Sequence, residues 1–233
     1  MDGAGLLGSI LSITLMDLVL SGDNAVVIAL ATLRLGENER KKAIFWGTFG
    51  AVALRISLTT IAVLLLTIPF VQAVGGLLLA WIAVKLLLGE EDKGEVKEAS
   101  SLREAIQTII IADFLMSLDN VLAVAGASQG NISLLIFGLL ISIPIVVFGS
   151  TLLSNLMKKW PWLVSLGAGL LGYTAGEMLL NDSYFYFLAQ ITILDYLIPG
   201  LLGVGVVIVG NFLRIRRSKG IESKDLEEKK KAG

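Results

Sequence analysis

Long apolar runs alternate with short polar connections along most of this 233-residue chain. Each run reaches the roughly 20 residues that an α-helix needs to cross the hydrocarbon core of a membrane. We predict seven such segments, at 6–31, 43–67, 70–88, 104–126, 131–157, 162–181 and 188–213. The pattern therefore predicts an all-α, polytopic membrane bundle with seven transmembrane helices and contact with the lipid bilayer.

Composition supports the membrane class and narrows the chemistry of any site. Hydrophobic residues make up 55% of the chain, and the mean hydropathy is +0.80, which is too apolar for an ordinary soluble domain. Cysteine and histidine are absent, so disulfides, thiolate metal sites and imidazole ligands are excluded. Nothing in the sequence points to binding of nucleic acid.

The basic residues are sorted by connection, and this sorting predicts an orientation. Every second connection is basic, whereas those between segments 2 and 3, 4 and 5, and 6 and 7 contain no Lys or Arg. By the positive-inside rule we expect the N-terminus outside and the C-terminus in the cytoplasm. The basic positions are Arg34, Arg40, Lys41, Lys42, Lys93, Lys97, Arg103, Lys158, Lys159, Arg214, Arg216, Arg217 and Lys219.

One polar motif occurs twice within the apolar segments. "DLVLSGDNAVVIA" starts at Asp17 and "DFLMSLDNVLAVA" starts at Asp113, an offset of 96 residues. A weaker echo at an offset of 92 aligns Gly75 with Gly167 and places Lys85 opposite Glu177. The motif pairs are Asp17 with Asp113, Ser21 with Ser117, Asp23 with Asp119 and Asn24 with Asn120.

The spacing of the motifs predicts an inverted repeat. Three crossings per unit is an odd number, so the second unit enters the membrane from the opposite side, as in many secondary transporters. The predicted organisation is a 3+3 repeat plus one helix. Its parts are repeat 1 at 1–88, a charged cytoplasmic loop at 89–103, repeat 2 at 104–181, the seventh helix at 182–214 and a flexible, charged cytoplasmic tail at 215–233.

The two motifs together predict a site at the membrane midplane. If both centres lie there and the helices are antiparallel, Asp17 comes beside Asp119 and Asp23 comes beside Asp113. We therefore expect two stacked carboxylate pairs. Their flanking oxygens come from Asn24, Asn120, Ser21 and Ser117.

Four buried carboxylates repel one another and need a counter-charge, which a divalent cation supplies. The donors are all oxygen, and such sites suit Mn²⁺, Ca²⁺ and Mg²⁺. Two alternatives stay open from the residues alone. The aspartates could form a proton relay, with or without exchange for a cation, or a polar cluster that holds helices together.

Other charged residues accompany the motifs. Arg55 lies near the centre of the second segment, where an unpaired guanidinium is costly, so we expect it to pair with a motif aspartate. It serves either as a permanent counter-charge or as the occupant of the anionic site when no cation is bound. Glu177, near the outer end of segment 6, either lines an exit or is interfacial. Lys85 is expected to extend toward the interface.

The stretches "MDLVLSGDNAVV" and "ADFLMSLDNVLAV" make this chain resemble the TerC family of bacterial integral membrane proteins, over about residues 6–214. The family is similar to manganese exporters and to the broader LysE-type and cation/proton exchanger folds. The resemblance implies a metal site on the family's acidic motif positions. These are Asp17, Asp23, Asn24, Asp113, Asp119 and Asn120.

We therefore expect a divalent cation transporter, with Mn²⁺ as the transported substrate that the resemblance favours over Ca²⁺ or Mg²⁺. The alternatives are a Ca²⁺/H⁺-type exchanger and an accessory membrane protein for a metalation or secretion partner. Homo-oligomerisation is left open. An enzyme is not expected, because no nucleophile, phosphate loop or cofactor fingerprint accompanies the aspartates.

Overall fold

The structure, a computed structural model, describes residues 11, 14, 15, 17, 22–66, 68, 70–88, 98–127 and 132–231. All regular secondary structure in these residues is helical. The helices are α1 (Gly22–Thr32), α2 (Glu37–Leu66), α3 (Val71–Leu88), α4 (Glu98–Ala127), α5 (Ile132–Lys159), α6 (Trp162–Asn181), the short α7 (Tyr186–Ala189) and α8 (Thr192–Lys231). An all-helical chain is thus confirmed for this part of the protein.

Four of these helices are long and apolar enough to cross a membrane by length and composition. They are α3, α5, α6 and α8, and their spans are Val71–Leu88, Ile136–Lys159, Trp162–Asn181 and Thr192–Arg216. Helices α1, α2 and α4 belong to the predicted segments that carry the motif residues and Arg55. The number of seven crossings stays a prediction.

Apolar and polar side chains are distributed as expected for a bundle surrounded by lipid. Large apolar side chains such as Trp81, Phe148 and Ile193 are exposed, whereas Asp17, Arg55 and Ser117 are almost fully buried. Polar groups in a bilayer must be satisfied inside the protein, while the lipid-facing surface can be apolar.

Contacts between helix ends show how the bundle alternates in direction. Arg34, after α1, donates to the carbonyl of Leu88 at the end of α3, and Lys85 near that end binds Glu104 near the start of α4. The opposite end of α3 contacts the end of α6, because Asp182 accepts a hydrogen bond from the backbone N–H of Ala73 at 3.2 Å. The predicted snorkelling of Lys85 is accompanied by this ion pair with Glu104.

Small residues let the helices approach one another closely. A Cβ atom placed at Gly76 of α3 would lie 2.5 Å from the carbonyl oxygen of Ala175 in α6. A Cβ atom placed at Gly176 of α6 would overlap the backbone of Pro199 in α8. Because lipid offers no hydrophobic drive between helices, this close van der Waals contact is a main source of packing energy in a membrane.

Two helices extend across boundaries of the predicted segments, and the division of the chain into these segments stays a prediction. Helix α8 continues to Lys231 and so includes most of the segment 215–233 that was predicted to be a flexible tail. Lys and Glu are good helix formers, and extending an existing helix avoids the cost of nucleation. Helix α4 begins at Glu98, inside the predicted loop 89–103, whereas residues 89–97 lie outside the described part of the chain.

Candidate functional site

Arg55 is the centre of a buried polar cluster that joins α2 to α4 and to the residues preceding α1. Its Nη1 donates to Oδ1 of Asp17, and its Nη2 donates to Oδ1 of Asp113 at 2.5 Å. Its Nε donates to Oγ of Ser117 at 3.0 Å. One planar guanidinium therefore satisfies the first aspartate of both motifs, a geometry that arginine provides and lysine does not.

Asp113 accepts further hydrogen bonds that fix its carboxylate. Oδ1 accepts from Nδ2 of Asn24 at 2.9 Å, and Oδ2 accepts from Oγ of Ser117 at 3.2 Å. Ser117 lies one helical turn after Asp113, so the motif spacing places both on one face of α4. Asn24 of the first motif thus contacts the second motif directly.

The formal charge of this cluster is negative. Asp17, Asp113 and Arg55 are each at most 7% exposed, and two carboxylates face one guanidinium. A buried net negative charge favours the approach of another cation. The arrangement can hold a positive charge in addition to Arg55, or exchange Arg55 for one.

A small cavity adjoins this cluster between α1, α2, α4 and α5. Its volume is about 20 Å³, which is room for one water molecule or one bare ion. The polar residues around it are Asp17, Asn24, Thr48, Arg55, Asp113 and Ser142. Within the described residues, Oδ1 of Asn24 and Oγ1 of Thr48 are buried without a hydrogen-bond partner.

Asp23 contacts a different set of groups. Its Oδ2 accepts a hydrogen bond from Oγ1 of Thr174 in α6 at 3.3 Å, and its Oδ1 accepts from the N–H of Asn24 at 3.0 Å. Asp23 also lies within electrostatic range of Glu177, on α6. Asp23 and Glu177 therefore form a second acidic group, between α1 and α6.

The structure brings together several of the predicted site residues. Asp17, Asn24, Asp113, Ser117 and Arg55 form one cluster, and the predicted pairing of Arg55 with a motif aspartate is observed twice. The expected separation of Asp17 from Asp113 into two layers is not observed, because one guanidinium holds both.

The other predicted site residues have different outcomes. Asp23 binds Thr174, and Glu177 accompanies it on α6. Asn120 lies on α4 and is partly buried. Ser21 and the side chain of Asp119 lie outside the described residues. Among the residues the structure describes, no three acidic groups come together in a metal-binding arrangement.

Thr48, Ser142 and Thr174 are polar residues near the motifs that the sequence reasoning did not identify. Thr48 lies seven residues before Arg55, on the same face of α2, and this helical spacing from a buried arginine was the available signal. Ser142 and Thr174 stand in apolar helices that belong to other segments. No local pattern links either residue to the motifs, so only packing could reveal them.

Comparisons with known proteins identify relatives of this chain. The pattern of the integral membrane protein TerC family matches residues 3–219. Membrane protein YjbE of Bacillus subtilis is 47% identical over 204 residues, which cover 87% of this chain and 93% of YjbE. Inner membrane protein YgdQ of Escherichia coli K12 is 26% identical over 201 residues, which cover 76% of this chain and 84% of YgdQ. No solved structure matches the chain.

Proposed function

This chain belongs to the TerC family of integral membrane proteins, and from that premise we propose that it transports a divalent cation, with Mn²⁺ as the first candidate. The observation that carries the proposal is the buried cluster of Asp17, Arg55 and Asp113 beside a small cavity that polar and apolar side chains line together. Ionisable residues inside a membrane protein commonly mark an ion pathway.

In this proposal Arg55 and the transported cation compete for the same two carboxylates. When no cation is bound, the guanidinium neutralises one negative charge and keeps the empty site inside the membrane at tolerable cost. A divalent cation that reaches Asp17 and Asp113 displaces the guanidinium. Carboxylate and amide oxygens then bind the cation, and these are the ligands that Mn²⁺ and Ca²⁺ prefer. Binding and release then alternate with the movement of one arginine side chain.

The proposed pathway includes both acidic groups. Asp23 on α1 directly precedes Asn24 of the arginine cluster, Glu177 lies on α6, and the two acids are partly exposed and exposed respectively. They would receive or release the cation at one end of the pathway.

The proposed architecture is an inverted repeat of α1–α3 and α4–α6. The proposal is supported by the packing of the helices. If the two repeats are exchanged, so that α1 corresponds to α4, α2 to α5 and α3 to α6, the packed pair α2–α4 becomes the packed pair α5–α1, and the packed pair α3–α4 becomes the packed pair α6–α1. The pairs α1–α4, α2–α5 and α3–α6, which an exchange of the two halves leaves unchanged, also pack together. A pseudo-twofold axis that relates the two halves would pass through the site, where one half can rock against the other.

A transport assay with matched variants tests the function. We expect purified protein in lipid vesicles to move Mn²⁺ across the bilayer, and Asp113→Asn to reduce the rate by about 10-fold or more because it removes a charge from the binding site. The control is Glu104→Gln, which removes the same charge from a half-exposed ion pair with Lys85, outside the cluster. Glu104→Gln should keep most of the transport.

The cellular counterpart separates transport from an accessory role. Cells that lack the protein should accumulate Mn²⁺ and become sensitive to it, and the Asp113→Asn variant should not rescue them. Normal Mn²⁺ content in the deletion strain, together with no flux of Mn²⁺ or Ca²⁺ in vesicles, would contradict transport and favour an accessory membrane protein.

A further inference from the structure

We propose that Thr48 is a direct oxygen ligand of the transported cation and that the cavity it lines is the compartment where a largely dehydrated ion is held. This inference rests on the proposed transport function and adds to it a ligand outside both sequence motifs. It also assigns a basis for selecting among hard divalent cations.

The hydroxyl of Thr48 is buried at a polar site yet makes no hydrogen bond within the described residues. Thr48 is 3% exposed, and burying an unsatisfied hydroxyl costs free energy. Several other buried hydroxyls in the described residues bond to carbonyls, as in Thr32, which donates to the carbonyl of Ile28 at 2.7 Å, whereas Ser154, which does not line this cavity, is also unpartnered. Thr48 is therefore different from an ordinary buried threonine in this bundle.

Asn24 presents a second unpaired oxygen to the same cavity. Its Nδ2 group is used by Asp113, which leaves Oδ1 as an acceptor, and that atom is buried without a partner in the described part of the chain. An amide oxygen and a hydroxyl oxygen, placed beside two carboxylates, form a donor set made only of oxygen. Two independent orphan acceptors at one cavity indicate a ligand that both can bind.

The two carboxylates that Arg55 binds and the two unpaired oxygens belong to residues that line one cavity. Thr48 and Arg55 are separated by seven residues, which is two turns or about 10 Å along α2. Both line the cavity, as do Asp17 and Asp113. A cation in the cavity can therefore bind Thr48 and Asn24 while it takes the carboxylates over from the guanidinium.

The size of the cavity limits the hydration of the ion. A volume of about 20 Å³ accepts one water molecule or one bare ion, and not an ion with its full shell of waters. Mg²⁺ gives up its waters reluctantly, whereas larger divalent ions exchange them more readily. The compartment should therefore accept Mn²⁺ or Ca²⁺ and reject Mg²⁺.

The test measures Mn²⁺ binding by calorimetry on the purified full-length protein in detergent, with Mg²⁺ as competitor. We expect Thr48→Val to weaken Mn²⁺ binding by about 10-fold or more, Thr48→Ser to bind as the unmodified protein does, and Mg²⁺ at equal concentration to leave Mn²⁺ binding unchanged. Thr32→Val is the matched control, because its hydroxyl is used by its own helix, and it should bind Mn²⁺ normally.

Thermal unfolding of the same variants distinguishes a ligand from a structural hydroxyl. If Thr48 is kept for the cation, Thr48→Val removes an unsatisfied polar group and should raise the melting temperature of the cation-free protein while it weakens binding. Thr48→Ala should weaken binding as Thr48→Val does.

The outcomes separate this inference from the proposed function. Normal Mn²⁺ binding by Thr48→Val, with binding lost in Asp113→Asn, would overturn the role of Thr48 and leave transport standing. Strong competition by Mg²⁺ would overturn the dehydrated compartment. Absence of Mn²⁺ and Ca²⁺ binding by the unmodified protein would overturn both this inference and the proposed function.

Discussion

At the scale of single residues, the candidate site is built from one guanidinium, that of Arg55, and the two carboxylates that it binds. Its side chain binds Asp17, Asp113 and Ser117, so three of its donors are used at once. An arginine in this position makes the cation-free protein stable, because two neighbouring carboxylates inside a membrane otherwise repel each other. In the proposed transport cycle these contacts break before a second cation binds both carboxylates.

Substitution of this arginine tests that balance. Arg55→Gln should lower the free energy of unfolding of the cation-free protein by about 3–5 kcal/mol, because it leaves buried carboxylates without their partner. Added Mn²⁺ should restore much of the lost stability by supplying the missing positive charge. The measurement is thermal unfolding in detergent with and without Mn²⁺.

A double variant is the control for this prediction. Arg55→Gln combined with Asp113→Asn removes one charge of each sign and should be more stable than Arg55→Gln alone. If Arg55→Gln proves as stable as the unmodified protein, and Mn²⁺ adds nothing, the guanidinium does not hold the two carboxylates in the cation-free state.

At the scale of helices, α6 organises the bundle through its small residues. It packs closely on α8 through Gly172 and Gly176, and on α3 through Ala175, which faces Gly76. The same helix carries Thr174, which donates to Asp23, and Glu177, which lies within electrostatic range of Asp23. Close packing on two sides therefore fixes the position of the second acidic group relative to α1.

Gly176→Ala tests this packing. The new Cβ would overlap the backbone of Pro199, and backbone cannot move aside cheaply, so we expect α6 and α8 to separate and the melting temperature to fall. Overpacking of this kind costs typically about 1–3 kcal/mol. Gly200→Ala is the control, because a Cβ there meets nothing within 4 Å, and alanine favours a helix. Equal stability of the two variants would contradict the packing role of Gly176.

At the scale of the whole molecule, polar groups sit inside and apolar groups face outward, and the ends of the helices carry the connections. Basic residues occur on the connections after α1 and α3 and in the last turn of α5, and none occurs on the connection that contains α7. This asymmetry predicts that the former connections face the cytoplasm and the latter faces outward.

Labelling of single cysteines tests the orientation, and the absence of native cysteine removes any background. Ser183→Cys lies on the exposed connection after α6, and Gly36→Cys lies on the exposed connection after α1. A maleimide that cannot cross membranes should label Ser183→Cys in intact cells, and Gly36→Cys only after the cells are opened. The reverse pattern would show that the positive-inside assignment is wrong.

The sequence alone determined the features that depend on local pattern. Apolar runs predicted the helices because crossing a membrane requires a fixed length, and the repeated motif singled out Asp17 and Asp113 because buried acids are costly to keep. The depth of Arg55 along its segment predicted a carboxylate partner for the same reason. In the part of the chain that the structure describes, all regular secondary structure is helical and these residues lie in one cluster.

Tertiary structure alone decided which groups meet across helices. Three features depend on how the helices cross. One guanidinium binds both Asp17 and Asp113, Asp23 accepts a hydrogen bond from Thr174, and Thr48 lines the cavity. Helical periodicity fixes the face on which a residue lies, but the partner of that face is set by close packing of small residues over the whole bundle. The sequence names the buried charges, and the packing of the helices selects their partners.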